Sequence, residues 1–251
     1  MITALADGRL LAEKTGATPP AVVALPGWMR SATDFASIVD GLDAVSIHFP
    51  GFGTTPEPTT VWGSEDYAEE VASAISSFGP VILVAHSFGG RVAVRLAAKY
   101  PQYVSGIVLT GVPLLRLTAA PTPPLSFRVA RTLAKKGLLP KSVLEKQRQK
   151  RGSADYLAAQ GVMRDILVRV INEDYRDDLA RITVPVRMVW GENDTAAPAD
   201  AGLAASQLLA HSTFRAVPGA AHLLEGDLRP AVRAELLAMI DDVAPMKDSD
   251  R

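Results

Sequence analysis

The stretch VILVAHSFGGRVAV, residues 81–94, decides the fold. Val81 to Ala85 is an apolar run too short for a helix, and it leads without a polar linker into Ala85-His86-Ser87-Phe88-Gly89-Gly90, after which helical spacing begins. Small residues, Ala85 and Gly89, stand two positions on either side of Ser87. A serine held at a strained strand-to-helix turn requires that arrangement, because bulky neighbours would collide with adjacent backbone. Taken alone, the pattern is short enough to arise by chance. With a strand before it and a helix after it, Ser87 is a candidate nucleophile whose hydroxyl stands above the sheet.

Outward from this turn, short apolar runs alternate with longer helical patterns, which predicts an α/β protein with a mostly parallel sheet covered by helices on both faces. The strands are expected at 21–25, 45–49, 81–85, 106–110, 186–190 and 213–217. Asp7-Gly8 between apolar runs predicts an opening antiparallel hairpin. Ser64 is expected to cap a helix running towards Phe78 with Glu65 and Asp66 in its first turn, and a second helix should run from near Gly89 to before Pro101. A last helix from about Pro230 should pack Val232, Leu236, Leu237 and Ile240 along one face. From Val112 to about Thr183 the alternation fails: proline-rich AAPTPP precedes helical stretches with no convincing strand. The expected organisation is a core of residues 1–111 and 184–251 with a helical cap inserted at 112–183.

Composition narrows the function. A chain of 251 residues, 48% hydrophobic and 21% charged, can bury a sizeable core. The net charge of -1 provides no global field for nucleic acid or an anionic membrane. With no cysteine there is no disulfide framework, thiolate nucleophile or cysteine metal site. The N-terminal stretch lacks the pattern of a signal peptide and no apolar run is long enough to span a bilayer, so a soluble, cytoplasmic protein is expected. The histidines are scattered and no phosphate-binding loop appears, so neither a metal nor another cofactor is called for.

Serine at its ordinary pKa is a poor nucleophile and needs an imidazole to take its proton and a carboxylate to orient that imidazole. The strand ending at Trp190 leads into Gly191-Glu192-Asn193-Asp194, and the strand ending at Val217 leads into Pro218-Gly219-Ala220-Ala221-His222. Both loops fall at the carboxyl end of the sheet, where open α/β folds place their sites. Asp194 is preferred to Glu192, which precedes the expected turn, and to Asp200, which begins the next helix. His86, His48 and His211 are read as non-catalytic. Backbone N–H groups of Phe88 and Trp28 are candidate oxyanion donors, the latter from the loop Pro26-Gly27-Trp28-Met29. Met29, Leu114, Leu115, Leu125, Phe127 and Leu223 are candidate substrate-binding residues.

The order of strand, PGW loop, AHSFGG turn, GENDTAAP and GAAH, over roughly residues 21–243, resembles the α/β-hydrolase superfamily. The resemblance implies that superfamily's fold and a hydrolase acting through Ser87, His222 and Asp194. Two departures stand out: Pro26-Gly27 where many relatives have His-Gly, and His48 where an aspartate is usual. Serine at position 87 argues against a dehalogenase or epoxide hydrolase, for which the resemblance implies aspartate there. Leu223-Leu224-Glu225 after the histidine makes a carbon-carbon hydrolase a weaker expectation than an esterase, because such enzymes of the superfamily typically place an aromatic residue there.

The expected reaction is hydrolysis of a carboxylic ester or related acyl bond through an acyl-enzyme. Thioester hydrolysis, carbon-carbon cleavage and perhydrolysis remain alternatives, as does a small-molecule receptor without catalysis. Residues 112–152 contain ten basic residues, from Arg116 to Arg151, and one acid, Glu145. Two solvated helices would account for them. An electropositive rim drawing an anionic or carrier-linked acyl substrate is the sharper alternative.

Overall fold

A computed structural model describes residues 1–17, 19–116 and 154–244. Eight strands form one sheet: β1 (Ile2–Leu5), β2 (Leu10–Thr15), β3 (Val22–Leu25), β4 (Ala44–His48), β5 (Val81–His86), β6 (Val104–Thr110), β7 (Val186–Gly191) and β8 (Ser212–Val217). Their spatial order is β1-β2-β4-β3-β5-β6-β7-β8. The first two pairings are antiparallel and the rest parallel. The six core strands expected from sequence are all present, each within two residues of its expected bounds.

The described helices are α1 (Ser64–Ile75), α2 (Phe88–Lys99), α3 (Ala154–Ala158), α4 (Gly161–Val170), α5 (Arg176–Arg181), α6 (Ala199–Ser206) and α7 (Leu228–Val243). Alternation along each central strand sends successive side chains to opposite faces. Leu83, Ala85, Ile107 and Leu109 face a core shared with α1, α2 and α4, whereas Ile82, Val84 and Val108 face a second core against α7. Both faces of β5 and β6 are therefore apolar, which is why these runs read as continuous hydrophobic stretches.

Three local expectations change. The opening hairpin is wider than a two-residue turn, because Ala6, Asp7 and Gly8 all take positive φ and Leu5 pairs with Leu10. Ser64 is the first helical residue, not the cap. The N–H of Gly63 is taken by Asp66 Oδ2 at 2.6 Å, while the Ser64 hydroxyl donates to Glu173, which also accepts from Tyr175 Oη at 2.8 Å. On α7, Leu237 is 38% exposed, and the buried row is Leu228, Val232, Leu236 and Met239, spaced to return to one face. Ile240 packs at the margin of that core. The segment proposed as a cap includes α3, α4 and α5 and, among its described residues, no strand.

The step from β5 to α2 depends on one close approach. A Cβ on Gly89 would lie 2.1 Å from the carbonyl oxygen of Leu25 at the end of β3. The contact is with backbone and cannot be relieved by a rotamer change. Gly89→Ala is expected to cost about 3 kcal/mol or more, read as a lower urea midpoint. An unchanged midpoint would mean that α2 does not approach β3 this closely.

Candidate active site

Ser87 joins β5 to α2 with φ 50° and ψ −114°, outside the regions that residues bearing a Cβ ordinarily occupy. The conformation is held from both sides: its N–H donates to the Thr110 carbonyl on β6 at 3.0 Å, and its own carbonyl accepts from Gly90 at 3.1 Å. Such a position costs on the order of 1–3 kcal/mol and persists only where the surroundings determine it. The strand-helix context read from the sequence is thus present together with the strain it implied.

His222 lies beyond β8 in a loop of small residues, and its Nδ1 is 2.8 Å from Asp194 Oδ2. A carboxylate can only accept, so the imidazole N–H on Nδ1 donates, and in the neutral ring Nε2 carries the lone pair. Asp194, in the loop after β7, is buried, and its other oxygen accepts the N–H groups of Ala196 and Ala197 at 2.9 and 2.8 Å. Both carboxylate oxygens are therefore fixed. Of its two rivals, Glu192 accepts, among the described residues, only a long bond from Gly219 at 3.3 Å, and Asp200 is engaged with Ala201 N–H at the start of α6.

Ser87 and His222 line one pocket of about 540 Å³ together with Trp28, Phe88, Leu114 and Leu115. Among the described residues no acceptor takes the backbone N–H of Trp28 or of Phe88, the first residue of α2. Met29 and Leu223 are not in that lining. They are 50% and 39% exposed, and Met29 has φ 52°. Leu125 and Phe127 fall outside the described residues, as does the basic stretch apart from Arg116.

The sequence reading missed Arg91, one turn beyond Ser87 on α2. This buried guanidinium also lines the pocket, donates from Nη1 to the Val170 carbonyl at 2.6 Å, and lies 5.7 Å from the Tyr175 ring centroid. Burial lowers its pKa from the ordinary guanidinium value. Arg116 donates from Nη2 to the Ile171 carbonyl at 2.5 Å, so both cations meet carbonyls at the C-terminal end of α4, where the helix dipole favours them. Asp155, Glu173 and Asp200 line the same pocket, so its described wall carries both signs of charge. The signal available in sequence was the spacing of four residues from Ser87; the partners, about 80 residues downstream, were not.

His86 is buried at the end of β5, and its ring centroid is 4.8 Å from that of His222. Burial first, and then the neighbouring His222, lower its pKa to about 4. Between that value and the ~6.5 of an unfolded histidine the unfolded chain binds the extra proton, so stability falls as pH drops through this window, by up to about 3 kcal/mol. Urea midpoints measured at pH 7 and pH 4.5 should show that loss in the wild type and less of it in His86→Gln. Equal losses in the two proteins would assign the acid sensitivity to other groups.

The model of a family described as the alpha/beta hydrolase family matches residues 22–236. A non-heme chloroperoxidase from Streptomyces lividans is 27% identical over 245 residues, covering 85% of this chain and 89% of that protein. A 2-(acetamidomethylene)succinate hydrolase from Mesorhizobium japonicum is 37% identical over 71 residues, 28% of this chain and 26% of the relative's length. Among solved structures, a thermophilic esterase from Thermogutta terrifontis superposes with a TM-score of 0.69 at 21% identity, covering 98% of this chain and all of that one.

Proposed function

The chain belongs to the alpha/beta hydrolase family, and from that premise we propose that it is a serine hydrolase acting on a carboxylic ester or related acyl bond. The observation that carries the reading is the pairing of His222 Nδ1 with the buried Asp194 at 2.8 Å, in a pocket whose wall also presents the strained Ser87. With its Nδ1 proton directed at Asp194, His222 has Nε2 available to accept the Ser87 proton as Oγ attacks the acyl carbon. The developing oxyanion is then met by the Trp28 and Phe88 N–H groups. His222 returns the proton to the leaving group, and water, activated by the same nitrogen, releases the acid and restores Ser87.

A fluorophosphonate ester tests this directly, since it phosphonylates only an activated serine. Labelling at Ser87 that is absent from Ser87→Ala supports the hydrolase. An unlabelled wild type would favour a small-molecule receptor on the same fold.

The likeness to the chloroperoxidase favours a second reading of the same acyl-enzyme, in which hydrogen peroxide replaces water as the acceptor. The products would then be a peracid and free Ser87. Peracid formation from acetate and peroxide, abolished in Ser87→Ala, would support it; hydrolysis without peracid would leave the first reading alone. In either case the substrate is a small acyl compound; an anionic or carrier-linked one is the class the basic stretch would attract. No helix among the described residues is long and apolar enough to cross a membrane.

A further inference from the structure

We propose that His86 is a positioning residue for the reaction, bracing the loop of the base and the loop of the oxyanion donors against one another through a neutral imidazole protonated on Nε2. The inference rests on the serine-hydrolase reading above and extends it to a residue that is not itself part of the substrate pocket's lining.

The first half of the brace is a hydrogen bond. His86 Nε2 lies 2.9 Å from the backbone carbonyl oxygen of His222, 136 residues away. A carbonyl cannot donate, so the proton is on Nε2, and the bond fixes the backbone of the residue whose own ring must meet Ser87. The second half is a contact. A Cβ on Gly27 would stand 2.9 Å from His86 Nδ1, so the imidazole occupies the space that a side chain at position 27 would need. Trp28, whose N–H is the proposed oxyanion donor, is the next residue. One ring at the last position of β5, immediately before Ser87, thus touches both loops.

Neutrality is part of the arrangement. A charge on His86 would repel the imidazolium that His222 becomes when it accepts the serine proton. The groups around His86 are His222, Asp194 and Asp34, and Arg30, which packs against Gly27, is itself paired with Asp34 at 2.6 Å. The carboxylates favour the charged form, but burial and the neighbouring imidazole outweigh them. His86 Nδ1 has no hydrogen-bond partner among the described residues, which fits a ring whose only directional contact is the His222 carbonyl.

Glutamine and asparagine separate this role from simple space filling. Gln can carry an amide N–H to about the position of Nε2, whereas the shorter Asn cannot reach it, and Leu fills the volume with no donor. With 4-nitrophenyl butyrate as substrate, His86→Leu and His86→Asn are expected to lower kcat roughly 10–100-fold, with KM within about twofold, as small misplacements of reacting groups do. His86→Gln should recover most of kcat. The rate of fluorophosphonate labelling per folded molecule should follow the same order, because it reads activation of Ser87 without turnover.

If the wild type labels and hydrolyses but the Leu and Asn variants label as fast, His86 is only packing and the inference falls alone. Equal defects in the Asn and Gln variants would equally remove the role of the Nε2 donor. If the wild type itself neither labels nor hydrolyses, both this inference and the function beneath it are overturned. Should His86→Leu fail to fold, the Asn and Gln pair still decides the question.

Discussion

Ser87→Ala and His222→Ala should each abolish nearly all ester hydrolysis, and the double variant should be scarcely worse than either single one. Where a nucleophile and its base act as one unit, removing either costs roughly 10⁶ in kcat and removing both costs little more. The geometry gives a reason to expect that behaviour here. Ser87 has no other imidazole on its pocket wall, and His222 has its second nitrogen committed to Asp194. A Cβ is kept in Ser87→Ala, so the left-handed strain at φ 50° is kept as well, and the urea midpoint should stay close to that of the wild type. Losses that multiplied in the double variant would mean that the two side chains act in separate steps or on separate substrates.

The parts of this arrangement that could be read from sequence are those set by short-range backbone requirements. Gly89 follows Ser87 by two positions because α2 must pass within contact of Leu25, and Asp194 and His222 lie in the loops that follow β7 and β8. Core strands β3 to β7 were legible for a related reason: each is buried on both faces almost throughout, so its run is continuous and its ends are sharp, whereas β8 at the sheet's edge is mostly exposed or half-buried. What escaped was set at long range or by side-chain direction. Nothing near His86 announces that its ring reaches the carbonyl of His222, and nothing near Arg91 announces Val170. Met29 and Leu223 neighbour site residues in sequence, yet a positive φ at Met29 goes with an exposed side chain instead of one on the pocket wall. On α7, Leu237 and Met239 are equally apolar letters, and only the phase of the helix against the sheet decides that Met239 is buried.

Asp194→Asn is expected to be almost as damaging as loss of the base, through a change that leaves the fold in place. The carboxylate is held by three donors: Ala196 and Ala197 N–H on Oδ1, and His222 Nδ1–H on Oδ2. An asparagine has one oxygen and one NH2 group to share among them. Keeping the oxygen on Ala196 and Ala197 preserves two bonds, whereas turning it to His222 preserves one and sets the amide hydrogens against two N–H groups. The first orientation therefore prevails, and the amide donates to His222 Nδ1. The imidazole must then carry its proton on Nε2, the nitrogen that has to accept from Ser87, and hydrolysis should fall by about 10⁴ as in proteases where this tautomer is imposed. Because the loop bonds survive, the urea midpoint should change by less than the equivalent of about 1 kcal/mol. Glu192→Gln is the matched control: among the described residues this exposed carboxylate makes only the 3.3 Å bond to Gly219, and kcat should remain near that of the wild type. A large loss in Glu192→Gln with a small one in Asp194→Asn would transfer the orienting role to Glu192 and require the His222 ring to turn away from the partner it has in this structure.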